Sequence, residues 1–238
     1  MTEIRLFLFV VVSVFAVSLS AQTPVKLSKD YKVVYSQGFS KEKDLKDFEF
    51  TDRDRWLVSQ NGKSGKCLKC LGKGNYVSAH AGPEIMAVLK GYEWTDFVME
   101  LDVMQNGKDY SLLDICILFG IKDADHFYYA QLASRADRKS HNVFVMKGDK
   151  PQRIGTCHNK GVIWGINKWH HVRVERLQAT KTVRVFLNDE LVLETDSDPF
   201  EPGLIGFGSF DDACKVDNLR IWAKEYNEVS TTTPFFAR

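Results

Sequence analysis

Glu100 and Asp102 stand two residues apart in the stretch FVMELDVMQ, residues 97–105. On a strand the side chains repeat every second residue, so these two carboxylates share a face as neighbours. Two carboxyl groups ~5–5.5 Å apart can cleave a glycosidic bond, one as nucleophile and one as acid/base. The same pattern also describes an ordinary strand with one solvated face. A second set of polar residues falls on the stretches 114–121, 126–133 and 141–147. Asp114 opens the first, Tyr129 and Gln131 share a face of the second, and His141 and Asn142 open the third. If these are neighbouring strands, Asp114, Tyr129, Gln131 and His141 converge in a groove. A sugar site needs that mixture, because rings stack on C–H faces while amides and carboxylates pair with hydroxyls. Tyr129 or His141 would supply a base, and Arg135, Arg138 or Arg173 a charge for an anionic sugar. The catalytic candidates are thus Glu100, His141 and Tyr129. Asp102, Asp114, Gln131, Asn142 and Arg173 are the substrate-binding candidates.

Metal and thiol chemistry is less well provided for. The six histidines include no three-residue zinc set on one element. His170 and His171 are consecutive on a strand and point to opposite faces. His80 and Glu84, in a glycine-rich loop, form an alternative site. Of the five cysteines, Cys67 and Cys70 have C-x-x-C spacing, which leaves a local disulfide across a turn open. No second such pair exists to complete a zinc site. Cys116 sits inside an apolar strand as a small hydrophobe. The odd count leaves at least one free thiol. Trp94, Trp164 and Trp169 stand near strand ends, where they serve either as sugar platforms or as core.

The elements that position these residues are strands. In GVIWGINKWHHVRVER, residues 161–176, Trp169, His171, Arg173 and Glu175 alternate with His170, Val172, Val174 and Arg176. A turn over 178–181 leads to Val183, Val185 and Leu187, and Asn188-Asp189 makes the next tight turn. Phe97, Met99, Leu101 and Val103 share one face, and Asn106-Gly107-Lys108 reads as a hairpin. Leu112–Ile121 is a nearly continuous apolar run, the mark of a central strand covered on both faces. Pro83–Leu89 reads as a strand bounded by Gly91. Leu45, Phe48 and Phe50 enter a strand near the start, and GLIGFGSF, residues 203–210, leads into a closing strand over 216–222. About a dozen short strands at regular spacing, with no helical period, predict an all-β, two-sheet antiparallel sandwich.

The chain has 238 residues and a net charge of +1, so no basic excess draws it to nucleic acid. Leu6–Val17 is an apolar run followed by Ser18, Ser20 and Ala21, which reads as a signal peptide over residues 1–21. Residues 22–238 then form one domain with its core at about 33–223, secreted or periplasmic. No later apolar run is long enough to span a membrane.

The W-H-x-V-x-V motif at 169–174, the hairpin VRVFLNDE at 183–190 and the closing GLIGF and VDNLRI segments resemble the laminin-G-like members of the concanavalin A-like jelly rolls. They also resemble the 3-keto-disaccharide hydrolase-type domain of secreted bacterial proteins. The likeness covers roughly 39–222 and implies a jelly roll. Its members include lectins, carbohydrate-binding modules, glycoside hydrolases and polysaccharide lyases. Family-16 glycoside hydrolases carry E-x-D-x-x-E on a strand of this fold; the resemblance gives Glu100 the nucleophile's place and Asp102 the tuning one. The acid/base place falls on Gln105, which has no proton to give, and no bulge would put a third side chain on that face. The superfamily also implies a structural calcium held by Asp217, with Asp211, Asp212 and Asn218 near in sequence. The reading is an exported protein that recognises a polysaccharide or oligosaccharide in a groove on one sheet, within a polysaccharide-degrading system. The alternative is a glycoside hydrolase or polysaccharide lyase acting on the same class of substrate. An adhesive domain with a protein partner is a third.

Overall fold

The computed structural model describes residues 23–230 and Phe236; the signal segment read at 1–21 lies outside them. Seventeen strands are described: β1 (Lys32–Gln37), β2 (Phe48–Phe50), β3 (Trp56–Gly62), β4 (Gly65–Leu71), β5 (Ile85–Trp94), β6 (Phe97–Gln105), β7 (Asp114–Asp123), β8 (His126–Ala133), β9 (Val143–Lys147), β10 (Gln152–Arg153), β11 (Thr156–Cys157), β12 (Trp169–Leu177), β13 (Thr182–Leu187), β14 (Glu190–Thr195), β15 (Gly203–Ser209), β16 (Ala213–Ala223) and β17 (Asn227–Glu228). They form two antiparallel sheets. The nine-stranded sheet runs β11-β14-β13-β12-β6-β16-β4-β3, with β1 added on β16. The eight-stranded sheet runs β10-β9-β8-β7-β15-β5-β17, with β2 added on β5.

The alternation sets the layers. Phe97, Met99, Leu101 and Val103 of β6 face Ile115, Ile117 and Phe119 of β7 across one core. Phe39, Phe48, Phe50, Trp56 and Phe207 meet ring to ring at one part of it. The other face of β7 joins Met86, Val88, Tyr129, Phe144 and Met146 in a second apolar cluster on the outside of the eight-stranded sheet. Both faces of β7 are therefore covered, as its unbroken apolar run requires. Glycines at 206 and 208 are needed there. A side chain at Gly206 would meet the Ala87 carbonyl at 2.7 Å, and one at Gly208 would run into that of Ile85. The turn at Asn188 and Asp189 has both residues at positive φ, +50° and +69°, the conformation a tight hairpin between twisted strands requires.

Three sequence expectations change. Residues 106–108 do not close a hairpin, because both edges of β6 are already taken by β12 and β16. The chain crosses there to β7 in the other sheet. Gly91 does not end β5; at φ +86° it sits in a bulge, where the pairing with β15 shifts between Leu89 and Trp94. Leu45 lies in a short 3-10 turn, Glu42–Asp47, and β2 begins only at Phe48.

The two sheets are pinned at one end by a buried cation. Arg176 on β12 is 1% exposed and uses all five of its N–H groups. Nε and Nη2 donate to the two oxygens of Asp198, Nη1 to the carbonyls of Trp94 and Thr95, and Nη2 also to that of Glu201. Removing one partner leaves a buried charge unpaired, which costs ~3–5 kcal/mol. Asp198→Ala is therefore expected to lower unfolding stability by about that amount, measured as a shift of the urea midpoint at constant slope.

Candidate functional site

Glu100 and Asp102 do share a face, the outer face of the nine-stranded sheet. The β6–β12 register sets Asp102 opposite His171 and Glu100 opposite Arg173. His171 Nδ1 lies 3.3 Å from Asp102 Oδ1, and Lys63 Nζ 2.6 Å from the same oxygen. Asn218 Nδ2 donates to Asp102 Oδ2 at 2.8 Å. Burial opposes ionisation of Asp102, but these bonds together bring its pKa down to about 2. The bond to Asp102 in turn raises the pKa of His171, against burial. Arg173 donates to Glu100, to Glu175 at 2.8 Å and to the Val25 carbonyl at 2.9 Å. Glu175 accepts from Val25 N at 2.7 Å and from Arg184 at 2.6 Å. Each carboxylate thus has cationic partners, and part of the array straps down the N-terminal segment. Gln105 points the other way, into the core, and donates to the Asp114 carbonyl.

The second set lies on the other sheet, so Glu100 is not brought together with Tyr129 or His141. β7, β8 and β9 are neighbours, as the groove reading required. Asp114 and Gln131 meet: Gln131 Nε2 donates to Asp114 Oδ2, while Ser209 Oγ (2.6 Å) and Phe210 N (3.1 Å) donate to Oδ1. Asp114 N donates to Asp212 Oδ2 at 2.7 Å. This group is closed to solvent. Burial raises the Asp114 pKa to about 7, more than the bonds from Ser209 and Gln131 lower it. Tyr129 is buried in a stack with Phe144, and burial raises its pKa. His141 is also buried, with its pKa lowered by burial. Its Nδ1 accepts from Ala133 N at 3.2 Å, so Nε2 carries the proton and donates to Asn159 Oδ1 at 2.6 Å. Neither nitrogen is left for a substrate. Asn142 accepts from Val143 N and Gly155 N and donates to Cys157 Sγ, holding the loop after β9.

His170 faces inward against the Trp164 carbonyl, opposite to His171. Asp217 accepts backbone N–H groups from Ser64 at 2.9 Å and Asn218 at 2.7 Å. Asp212 accepts from Asp114 N and the Tyr110 hydroxyl. The carboxylates named for calcium therefore serve two separate backbone clusters, and among the described residues no three His, Cys, Asp or Glu converge as a metal set.

A further cleft lies elsewhere, at the sandwich end beside Arg176. Glu93, Asp96, Gln178, Phe200, Tyr226 and Asn227 are among the residues that line it. Asp96 holds its walls together, accepting from the Tyr31 hydroxyl and from Gln178 N at 3.0 Å. Tyr226 is 44% exposed and stands edge-on to Tyr92, with ring centres 5.5 Å apart. The side chains of Gln178, Glu225 and Asn227 are exposed and have no hydrogen-bond partner among the described residues. Sequence reading passed over this cleft because its parts come from four separate stretches, around 93–96, 178–179, 200 and 224–227; the local signal was Tyr226 in a largely polar tail.

No family model matches the sequence, and no curated protein does. Solved structures match in fold. The carbohydrate-binding module CBM66 from Bacillus subtilis aligns at 16% identity over 74% of this chain and 96% of its own, with a TM-score of 0.53. Peanut lectin aligns at 12% over 83% and 98%, also at 0.53. Lectin I-B4 from Griffonia simplicifolia aligns at 10% over 81% and 99%, at 0.51. The chain shares with them the two-sheet jelly-roll sandwich.

The buried carboxylate gives a pH test. With its pKa raised from 3.8 to about 7, Asp114 keeps a proton in the folded chain that the unfolded chain has already released. Its contribution therefore favours the fold below the unfolded pKa and is lost as pH rises toward 7, on the order of a few kcal/mol. Asp114→Asn removes the titrating carboxyl and is expected to flatten stability against pH between those limits, and the new amide can pair with Gln131 Oε1, which lacks a partner. Urea midpoints across that range check it.

Proposed function

We propose that this chain is a carbohydrate-recognising jelly roll whose ligand lies in the cleft between Tyr226, Gln178 and Asn227. The observation that carries the reading is the composition of that cleft. An exposed ring sits beside amides and carboxylates with unused hydrogen-bonding capacity, on walls that Asp96 and Arg176 hold in place. A ring stacks on the C–H face of a sugar, and the surrounding groups pair with its hydroxyls. The fold's likeness to a carbohydrate-binding module and to lectins supports the same class of ligand. The apolar run at 6–17 supports export, and the resemblance to the laminin-G-like or 3-keto-disaccharide hydrolase-type domain supports a place in a polysaccharide-degrading system.

A second reading rests on one observation. Asp102 orients His171, and His171 Nε2 faces Glu100 at 3.9 Å on an open sheet face. That is an acid–base arrangement suited to a glycoside hydrolase or polysaccharide lyase. It predicts release of oligosaccharides from a polysaccharide panel, abolished by His171→Asn. Release of no product by the unaltered chain removes this reading.

The binding reading is checked by retention on immobilised polysaccharides. Tyr226→Ala is expected to weaken binding about tenfold, the equivalent of ~1.4 kcal/mol. Glu100→Gln, outside the cleft, is expected to leave retention unchanged. Equal retention of Tyr226→Ala and the unaltered chain would sink the assignment of the cleft.

A further inference from the structure

Of the five cysteines, two stand directly opposite each other. Cys70 on β4 pairs with Cys214 on β16 in the antiparallel ladder. Both side chains point into the main core, at 0% and 1% exposure. Opposed residues in such a ladder have Cα atoms about 4.5 or 5.5 Å apart. A disulfide needs about 4.4–6.8 Å, so the backbone already meets its requirement. The other thiols are placed differently. Cys67 is three residues from Cys70 on the same strand and so on the opposite face, which removes the C-x-x-C disulfide that the spacing left open. Cys67 donates to the Ser59 carbonyl at 3.8 Å. Cys116 lies in the outer cluster of the other sheet, and Cys157 donates to the His141 carbonyl at 2.6 Å.

We propose that Cys70 and Cys214 are a disulfide-forming pair that joins the β3–β4 hairpin covalently to the closing strand. Gly72 N, two residues on, donates to Cys70 Sγ at 3.3 Å, a local bond that favours the thiolate. The Cys70 thiolate attacks a small-molecule or protein disulfide and releases one thiol from it. Cys214, as thiolate, then attacks Cys70 Sγ in the mixed disulfide and releases the second thiol. Two cysteine thiols lose two protons and two electrons, and the oxidant's disulfide gains them as two thiols. Because both sulfurs are buried, the exchange belongs to the stage before β4 docks on β16, and the finished bond is shielded from reductants.

The test refolds the full chain in oxidised and reduced glutathione, then denatures it without reductant and alkylates it. The expected product carries three alkyl groups on its five cysteines, has lost the mass of two hydrogens, and yields one peptide pair joining Cys70 to Cys214. Cys67→Ala is expected to keep that link. Reduction is expected to move the urea midpoint of the cross-linked chain downward. Five alkyl groups, or a link between any other pair, would overturn the assignment. The peptide map of the unaltered chain decides the matter even where Cys70→Ala or Cys214→Ala does not fold.

Discussion

The guanidinium of Arg176 is the contact on which the sandwich end depends. A cation in an apolar interior is tolerated only when every donor is met and the charge is balanced. Meeting five donors fixes the end of β5, the turn into β6 and the loop that carries the chain from β14 to β15. Those segments belong to both sheets. Phe200 closes over the cation, with its ring centre 5.2 Å from the guanidinium carbon. The cleft with Tyr226 on its rim is built on the outer side of this knot, so a polar demand deep inside sets the shape of a surface recess.

Much of this was visible in the alternation. The strand at 169–177 places Arg176 on the same face as Val172 and Val174, and an arginine on an apolar face announces a buried partner. What the sequence does not announce is which acid answers. Asp198 is 22 residues away, in a loop without periodicity. The same limit explains residues 106–108. Asn and Gly mark a turn, yet whether that turn returns to the same sheet depends on whether the strand's edge is free, and the neighbours of β6 come from far along the chain.

The polar residues on β6, β8 and β12 were correctly assigned to faces and incompletely assigned to surroundings, while His141 and Asn142, read as opening a strand, precede β9. Glu100, Asp102 and Arg173 do share an open face, but Arg173 is taken by Glu100, and Asp102, with a lysine and a histidine beside it, has fewer lone pairs for a ligand. Asp114 and Gln131 do lie side by side, on a face that the second apolar cluster closes to water. Periodicity tells which way a side chain points; it does not tell what lies over it. Of the residues with unused hydrogen-bonding capacity, Gln178 and Glu225 sit in connections, where no period operates and function is commonly carried, and Asn227 opens the two-residue strand β17.

The pairing of the outermost segments of sequence has a kinetic side. β16 takes β6 on one edge and β4, then β1, on the other. Until β16 exists, β1 has no strand to join and β4 keeps one edge bare. A topology so dominated by distant pairings folds slowly, because loop closure must be met before its contacts reward it. The nine-stranded sheet therefore cannot be completed until β16 has been made. Delayed closure of that kind leaves a polypeptide threadable through a narrow channel, and exposes its early strand edges to chaperones in the meantime.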